Sequence, residues 1–264
     1  MENRAVGRKP AGEHFPKEED YMKKTWSSLM LVLLAAALIL APAAGQTAKD
    51  VLDKMIQASG GRKALEAIKD TTSTGSIEMA QMGMSGSMTM YNKEPNLMRM
   101  DMEAQGFSIT QAFDGQTAWQ TNPMTGAAEV MPEQQGLYVK RGALGNASLL
   151  APETYGLTYE LKGTEKLNDK DYLVLVQKHA DGYTVALYLD PQTYLPYKSK
   201  GKTLDMMGGE VDQETIQEDY QTTDGLPSAR SLTIYQNGVE FIRIKISSVK
   251  YNSGLEDSLF KMKQ

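Results

Sequence analysis

His179 is the one histidine beyond residue 45, and it sets a ceiling on the acid–base chemistry this 264-residue chain can perform. A nucleophile–histidine–carboxylate triad needs that imidazole beside a serine or cysteine and an acid. His179 stands instead next to Asp181-Gly182, a turn signal, and reads as an exposed turn residue. Cysteine is absent, which removes disulfides, thiolate zinc sites and thiol catalysis. No HExxH, no Walker loop and no nucleophile elbow occurs. Gly83-Met84-Ser85-Gly86 has the glycines of a phosphate cradle but lies between two predicted strands, and a cradle needs a following helix, so it reads as a hairpin. Glu218-Asp219 and Glu256-Asp257 are adjacent rather than converging, so no glycosidase pair is marked. Asn146-Ala147-Ser148 fits a glycosylation sequon, which carries no meaning in a bacterial cell. The expectation is a protein that is not an enzyme and uses no cofactor or metal.

Methionine carries the remaining functional signal. There are 17 Met against 5 Phe, and Met79, Met82, Met84, Met88, Met90, Met98, Met100 and Met102 fall close together. One reading is a core filled with flexible side chains. The other is a groove whose unbranched thioethers reshape around different acyl chains or apolar peptides. A dense core favours Leu, Ile and Phe, which hold one rotamer better, and that contrast speaks for the groove.

Strands must position these residues. Met98, Met100 and Met102 alternate with Arg99, Asp101 and Glu103, so one face of that strand is wet and the other entirely Met. Similar alternation marks strands over 77–82, 88–91, 107–113 and 117–121, separated by Asn92-Lys93-Glu94-Pro95, Asp114-Gly115 and Asn122-Pro123-Met124-Thr125-Gly126. Longer strands are predicted over 157–167, 172–178, 183–189, 194–203, 210–220, 230–235 and 239–251, with Asn237-Gly238 a strong hairpin signal. Ahead of them, Val51, Leu52, Met55 and Ile56 recur at helical spacing up to Gly60-Gly61, and a short second helix with Leu65 and Ile68 ends near Asp70. About a dozen antiparallel strands with one apolar face must curl or close, because flat they would leave that face in water. The alternation lapses from Met131 to Pro152, a stretch punctuated by Gly136, Gly142 and Gly145 that is either a surface loop or a short helical insert across the sheet.

Residues 22–45 have the form of a signal peptide: Met22-Lys23-Lys24, twelve apolar residues from Leu29 to Leu40, then small residues to Gly45. Residues 1–21, polar and mixed in charge, are atypical ahead of such a leader and read as a non-native or disordered extension. No cysteine stands at the cleavage point to carry a lipid, so the exported chain is expected to be periplasmic and unlipidated. Of 28 basic and 33 acidic residues, the first 45 positions hold six and five, leaving a mature chain with 22 and 28, net −6. That balance argues against a nucleic-acid partner, which needs a basic face.

Several turns and strand ends resemble the periplasmic outer-membrane lipoprotein-sorting family with the LolA/LolB-like fold. They are Ala58-Ser59-Gly60-Gly61-Arg62-Lys63-Ala64-Leu65-Glu66-Ala67-Ile68-Lys69, Phe113-Asp114-Gly115-Gln116-Thr117-Ala118-Trp119, Tyr188-Leu189-Asp190-Pro191-Gln192-Thr193-Tyr194-Leu195-Pro196, Tyr220 with Asp224-Gly225-Leu226-Pro227, and Asn252-Ser253-Gly254-Leu255-Glu256-Asp257-Ser258-Leu259-Phe260. The resemblance implies a mainly β fold with a few helices: one domain over 46–264, a strongly curved antiparallel half-barrel closed by N-terminal and inserted helices. It also implies a carrier that holds lipoprotein or lipid acyl chains in the cavity of a concave sheet. The cavity is expected to be lined by Met82, Met84, Met88, Met90, Met98, Met100, Met102, Trp119, Leu187 and Ile244. A sensor or adaptor that binds an envelope protein through the same groove is the alternative, and the chain is expected to be monomeric. Residues 131–152, with Leu137, Leu144, Leu149 and Leu150 beneath, are expected either to gate the cavity or to plug it. Intact mass of the exported protein should place the mature N-terminus at Gly45 or Gln46 with no acyl group; a mass retaining residues 22–45 would make it an anchored protein.

Overall fold

The computed structural model describes residues 45–205 and 207–263. All but the last residue of the expected leader, and the whole extension before it, lie outside the described residues. From Gln46 onward the chain forms one compact unit.

Helix α1 (Ala48–Ala58) starts at a capping box: the Thr47 hydroxyl accepts the Asp50 N–H at 3.2 Å while the Asp50 carboxylate accepts the Thr47 N–H at 2.8 Å. Val51, Leu52, Met55 and Ile56 form its buried stripe, as the spacing predicts. Helix α2 (Arg62–Ala67) buries Leu65 and stops before the expected end near Asp70, because Asp70 opens the first strand.

Thirteen strands then build a single antiparallel sheet. The first six are β1 (Asp70–Met79), β2 (Met84–Lys93), β3 (Leu97–Ala104), β4 (Phe107–Phe113), β5 (Ala118–Thr121) and β6 (Ala128–Val130). A short 3₁₀ turn, Ala80–Met82, joins the first two, so the predicted strand through Met82 ends three residues earlier. The expected loop or insert is two helices, α3 (Glu133–Gly142) and α4 (Ala147–Leu150). The second run is β7 (Leu157–Leu167), β8 (Lys170–His179), β9 (Thr184–Leu189), β10 (Pro196–Leu204), β11 (Glu210–Thr223), β12 (Leu226–Gln236) and β13 (Val239–Tyr251). Each run is a meander of neighbours, and β1 pairs with β13 to join them, giving the order β6-β5-β4-β3-β2-β1-β13-β12-β11-β10-β9-β8-β7.

The sheet curls. Helix α3 packs on β4 and β5 near one edge, yet Arg141 in its last turn donates to Asp181 at 2.6 Å in the β8–β9 turn, near the other edge. Both edges can meet one ten-residue helix only if the sheet wraps round it. Two glycines at the central strands permit close strand approach. A Cβ on Gly75 would stand 2.1 Å from the Lys245 carbonyl, and one on Gly86 would stand 1.9 Å from that of Glu103.

The junction of the two runs is held by side chains. The buried Asp70 carboxylate accepts the backbone N–H groups of Ser253, Gly254 and Leu255 at 2.7, 3.0 and 3.3 Å. Asn252, in the left-handed region at φ 56°, accepts the Lys69 N–H at 2.6 Å and donates to the Ala67 carbonyl at 3.2 Å. Replacing Asp70 with Ala removes a charged acceptor from three donors, and urea unfolding should show a loss of about 2–3 kcal/mol. Asp70→Asn, which keeps one acceptor oxygen, should lose less; equal stability of all three proteins would show that the clasp contributes nothing.

Candidate apolar binding face

Cross-strand register sorts the side chains onto two faces. Thr71 pairs with Tyr251, Ile77 with Ile244, Met88 with Met102, Met90 with Met100, Met98 with Phe113 and Leu232 with Ile244. Paired residues share a face, and this is the inner face on which the helices pack. One helix-covered cluster joins Val51, Leu52, Met55, Ile56 and Leu65 to Leu173, Leu175 and Leu189, with Leu149 and Leu150 of α4 against it. A second joins Phe113, Ala118, Met131 and Ala143, with Met98 and Val139 against it, beneath α3.

The third cluster differs. It is built on Ile77, Met88 and Ile244, with Met100, Met102, Leu232, Ile234, Ile242 and Ile246 only partly buried, and it contains strand residues alone. Among the described residues, this central part of the inner face is thus an apolar cluster in which no helix side chain takes part, with Ile77, Met88 and Ile244 buried and the others partly exposed.

The expected lining residues divide accordingly. Met88, Met100, Met102 and Ile244 come together in the third cluster. Met84 and Met90 share their face through pairing with Met79 and with Ser73 and Met100. Met98 and Leu187 sit on the inner face but pack in the helix-covered clusters. Met82 lies in the turn between β1 and β2 and is 39% exposed. Trp119 is a correction. It pairs with Ala112, itself opposite Arg99, which puts it on the outer face. There its Nε1 donates to the Phe260 carbonyl at 2.7 Å under the C-terminal segment, and Arg99 Nη1 donates to the Leu259 carbonyl at 2.9 Å. A lone tryptophan next to a turn carries no phase, so its sequence position did not tell its face. Ile77, Leu232, Ile234, Ile242 and Ile246 belong to the patch without having been named. The alternation Ile242-Arg243-Ile244-Lys245-Ile246 carried the signal for the last of these.

The insert is fastened at both ends. At one end the Arg141 guanidinium lies 4.1 Å from the Tyr183 ring centre and 5.1 Å from that of Tyr138 while it binds Asp181. The hydrogen bond from Arg141 holds the Asp181 carboxyl below its ordinary value. His179, half-buried rather than exposed as expected, stacks edge-on to Tyr183 at 5.3 Å, and burial followed by the Arg141 charge pushes its pKa down. At the other end Glu94, beyond β2, accepts the Asn146 N–H at 2.9 Å at the start of α4. A Cβ on Gly145 would come 2.7 Å from the same oxygen.

Burial raises the Glu94 carboxyl above its ordinary 4.5, with backbone donors at Asn146 and Ala147 pulling it back. A pKa raised on folding means that the ionised form opposes folding, so Glu94 costs stability as pH rises through its folded pKa, and costs nothing below 4.5. Glu94→Gln keeps an acceptor for Asn146 without the charge. Thermal unfolding should find it more stable than the parent at pH 7, with the gain shrinking to zero below about pH 4. A gain that persists at low pH would refute the burial argument.

No protein-family model matches the chain, and no curated protein matches it in sequence. Solved structures do match in shape. A LolA superfamily protein from Nitrosomonas europaea superposes with a TM-score of 0.57 at 17% identity, covering 82% of this chain and 98% of that one. An outer-membrane lipoprotein-sorting protein domain from Vibrio parahaemolyticus gives 0.55 at 16% identity, covering 81% and 97%. A DUF1329 family protein from Desulfovibrio piger gives 0.56 at 14%, covering 82% and 98%. The fold is thus shared across nearly the whole of each of these neighbours: the chain has the LolA-like fold.

Proposed function

We propose that this protein is a periplasmic carrier or binding protein that holds an apolar ligand, the acyl chains of a lipid or lipoprotein, against the uncovered inner face without catalysing a reaction. The observation that carries the reading is the third cluster: apolar side chains on a wrapped sheet, with strand residues alone around them. Each methylene left in water costs about 0.8 kcal/mol, so a chain of ~16 carbons represents roughly 12 kcal/mol that a shuttle must largely offset by burial. A curled apolar sheet does that by contact alone. Met100 and Met102 suit the task because a thioether adapts to chains of different shape where a β-branched residue would not. The lipoprotein-sorting description of one neighbour of the same fold agrees with this reading. No helix among the described residues is long and apolar enough to cross a membrane.

Loading requires an entrance. The insert α3–α4, held at Asp181 and Glu94, borders the apolar face rather than belonging to its cluster, and release of Leu149 and Leu150 from the α1 cluster is the movement that would widen access.

Met102→Asp places a carboxylate in the uncovered cluster. Uptake of an apolar environment-sensitive dye should fall more than tenfold, while the melting temperature drops by only a few degrees, because a groove side chain can reach water. Global unfolding instead would identify Met102 as packed core and remove the groove. Mass spectrometry of material isolated from its own envelope separates the two kinds of ligand: copurified lipid supports the carrier, and a stoichiometric protein without lipid supports an adaptor that uses the same face.

A further inference from the structure

Arg230 is the one cation in the buried set among the described residues, 8% exposed. Strand alternation places it on the inner face of β12, between Leu226 of the helix-covered cluster and Leu232 of the uncovered one. Its Nη2 donates to Thr223 Oγ1 at 2.6 Å, and its Nε has no partner. Among the described residues no carboxylate forms an ion pair with it.

The strand opposite could have supplied one. Glu218 pairs with Ser231 and Tyr220 with Ala229, so Asp219 stands across from Arg230. Asp219 adopts φ 53°, is exposed, and accepts the Gln221 side-chain amide at 3.1 and 3.3 Å. The acid directly across the ladder is thus exposed and engaged with Gln221 rather than ion-paired with the buried guanidinium. Its neighbours are Thr223, the Tyr251 phenol and Ser228, whose buried Oγ has no hydrogen-bond partner; the Asp224 carboxylate acts on the same phenol but forms no ion pair with Arg230. A buried cation without an ionic partner is unfavourable until a counter-charge reaches it. A guanidinium stays charged at every relevant pH, and its planar fork of donors fits a carboxylate or a phosphate.

We propose that Arg230, with Ser228 and Thr223, is the headgroup site for an anionic acyl lipid, binding its carboxylate or phosphate while the chain runs along the Met and Ile cluster. The proposal rests on the acyl-binding reading of that cluster and narrows it: the preferred ligand carries its own negative charge beside the chain. From Arg230 to Ile234 the strand rises about 13 Å, all of it bordered on the inner face by Leu232 and Ile234.

Dye displacement from the full chain tests it with four probes: palmitate, hexadecyl phosphate, hexadecanol and inorganic phosphate. The parent protein should bind at least one anionic chain ten or more times more tightly than hexadecanol, and the stronger of the two identifies the headgroup. Inorganic phosphate should leave the dye in place. Arg230→Gln should lose the anionic preference while its affinity for hexadecanol stays unchanged, and Arg230→Lys should recover part of it. Equal affinity for anionic and neutral chains in the parent, or an Arg230→Gln protein that keeps the preference, would overturn the headgroup site and leave the groove standing. Should Arg230→Gln fail to fold, the ratio of anionic to neutral affinity in the parent and in Arg230→Lys decides. A parent protein that takes up none of the three chains removes the groove, and the headgroup site with it.

Discussion

The pairing of β1 with β13 is the contact on which the rest of the structure depends. Without it the chain is two separate meanders, β1–β6 and β7–β13, each with an apolar face too broad for its own helices to cover. With it there is a single inner face running from β6 to β7. The loop closed by this pairing is long, and closure entropy must be recovered locally. Asp70 and Asn252 stand at that point, each satisfying backbone groups from the other end of the chain. The same clasp directs the C-terminal segment across the outer face, where Phe260 is fully buried and its carbonyl receives the Trp119 indole N–H. Asp70 and Asn252 thus fasten, at one place, both the strand pairing and the start of the terminal segment.

Curling solves the solvent problem only in part. Helices α1 and α2 cover the β8–β9 side of the inner face, and α3 covers the β4–β5 side. The strands between these regions carry the Met and Ile cluster. In that cluster Met88, Met100 and Met102 of β2 and β3 stand beside Ile77 of β1, Leu232 and Ile234 of β12 and Ile242, Ile244 and Ile246 of β13, so unbranched thioethers line one side and mostly β-branched side chains the other.

Charge on the inner side is handled unevenly. Glu94 is half-buried but meets backbone donors at the start of α4, and Arg141 at the far end of the insert meets an acid and two aromatic rings. These groups position the insert relative to both sides of the sheet. Arg230 has a hydroxyl and no acid, and the strand beside it departs from its ordinary conformation at the residue that could have neutralised it. A charge left unpaired inside a fold that pairs its others is where a ligand's own charge has an energetic reason to go.

Sequence alone determined the elements and their polarity. Period-two alternation through Met98–Met102 and through Ile242–Ile246 marked strands and which residues share a side, the 3.6 period marked α1, and Asn237-Gly238 marked its hairpin, because each depends on neighbours within a few residues. Resemblance in the turns pointed to the curved half-barrel, and the shape comparison bears that fold out. Tertiary structure alone decided everything that joins distant positions. The order in which β13 follows β1, the helical nature of residues 133–150, the outward face of Trp119 and the burial of Arg230 depend on partners far along the chain. Trp119 shows the physical reason most directly: whether an aromatic faces a cavity or a covering segment is set by register with β4 and by where Phe260 returns, and no local pattern encodes a contact across 141 residues.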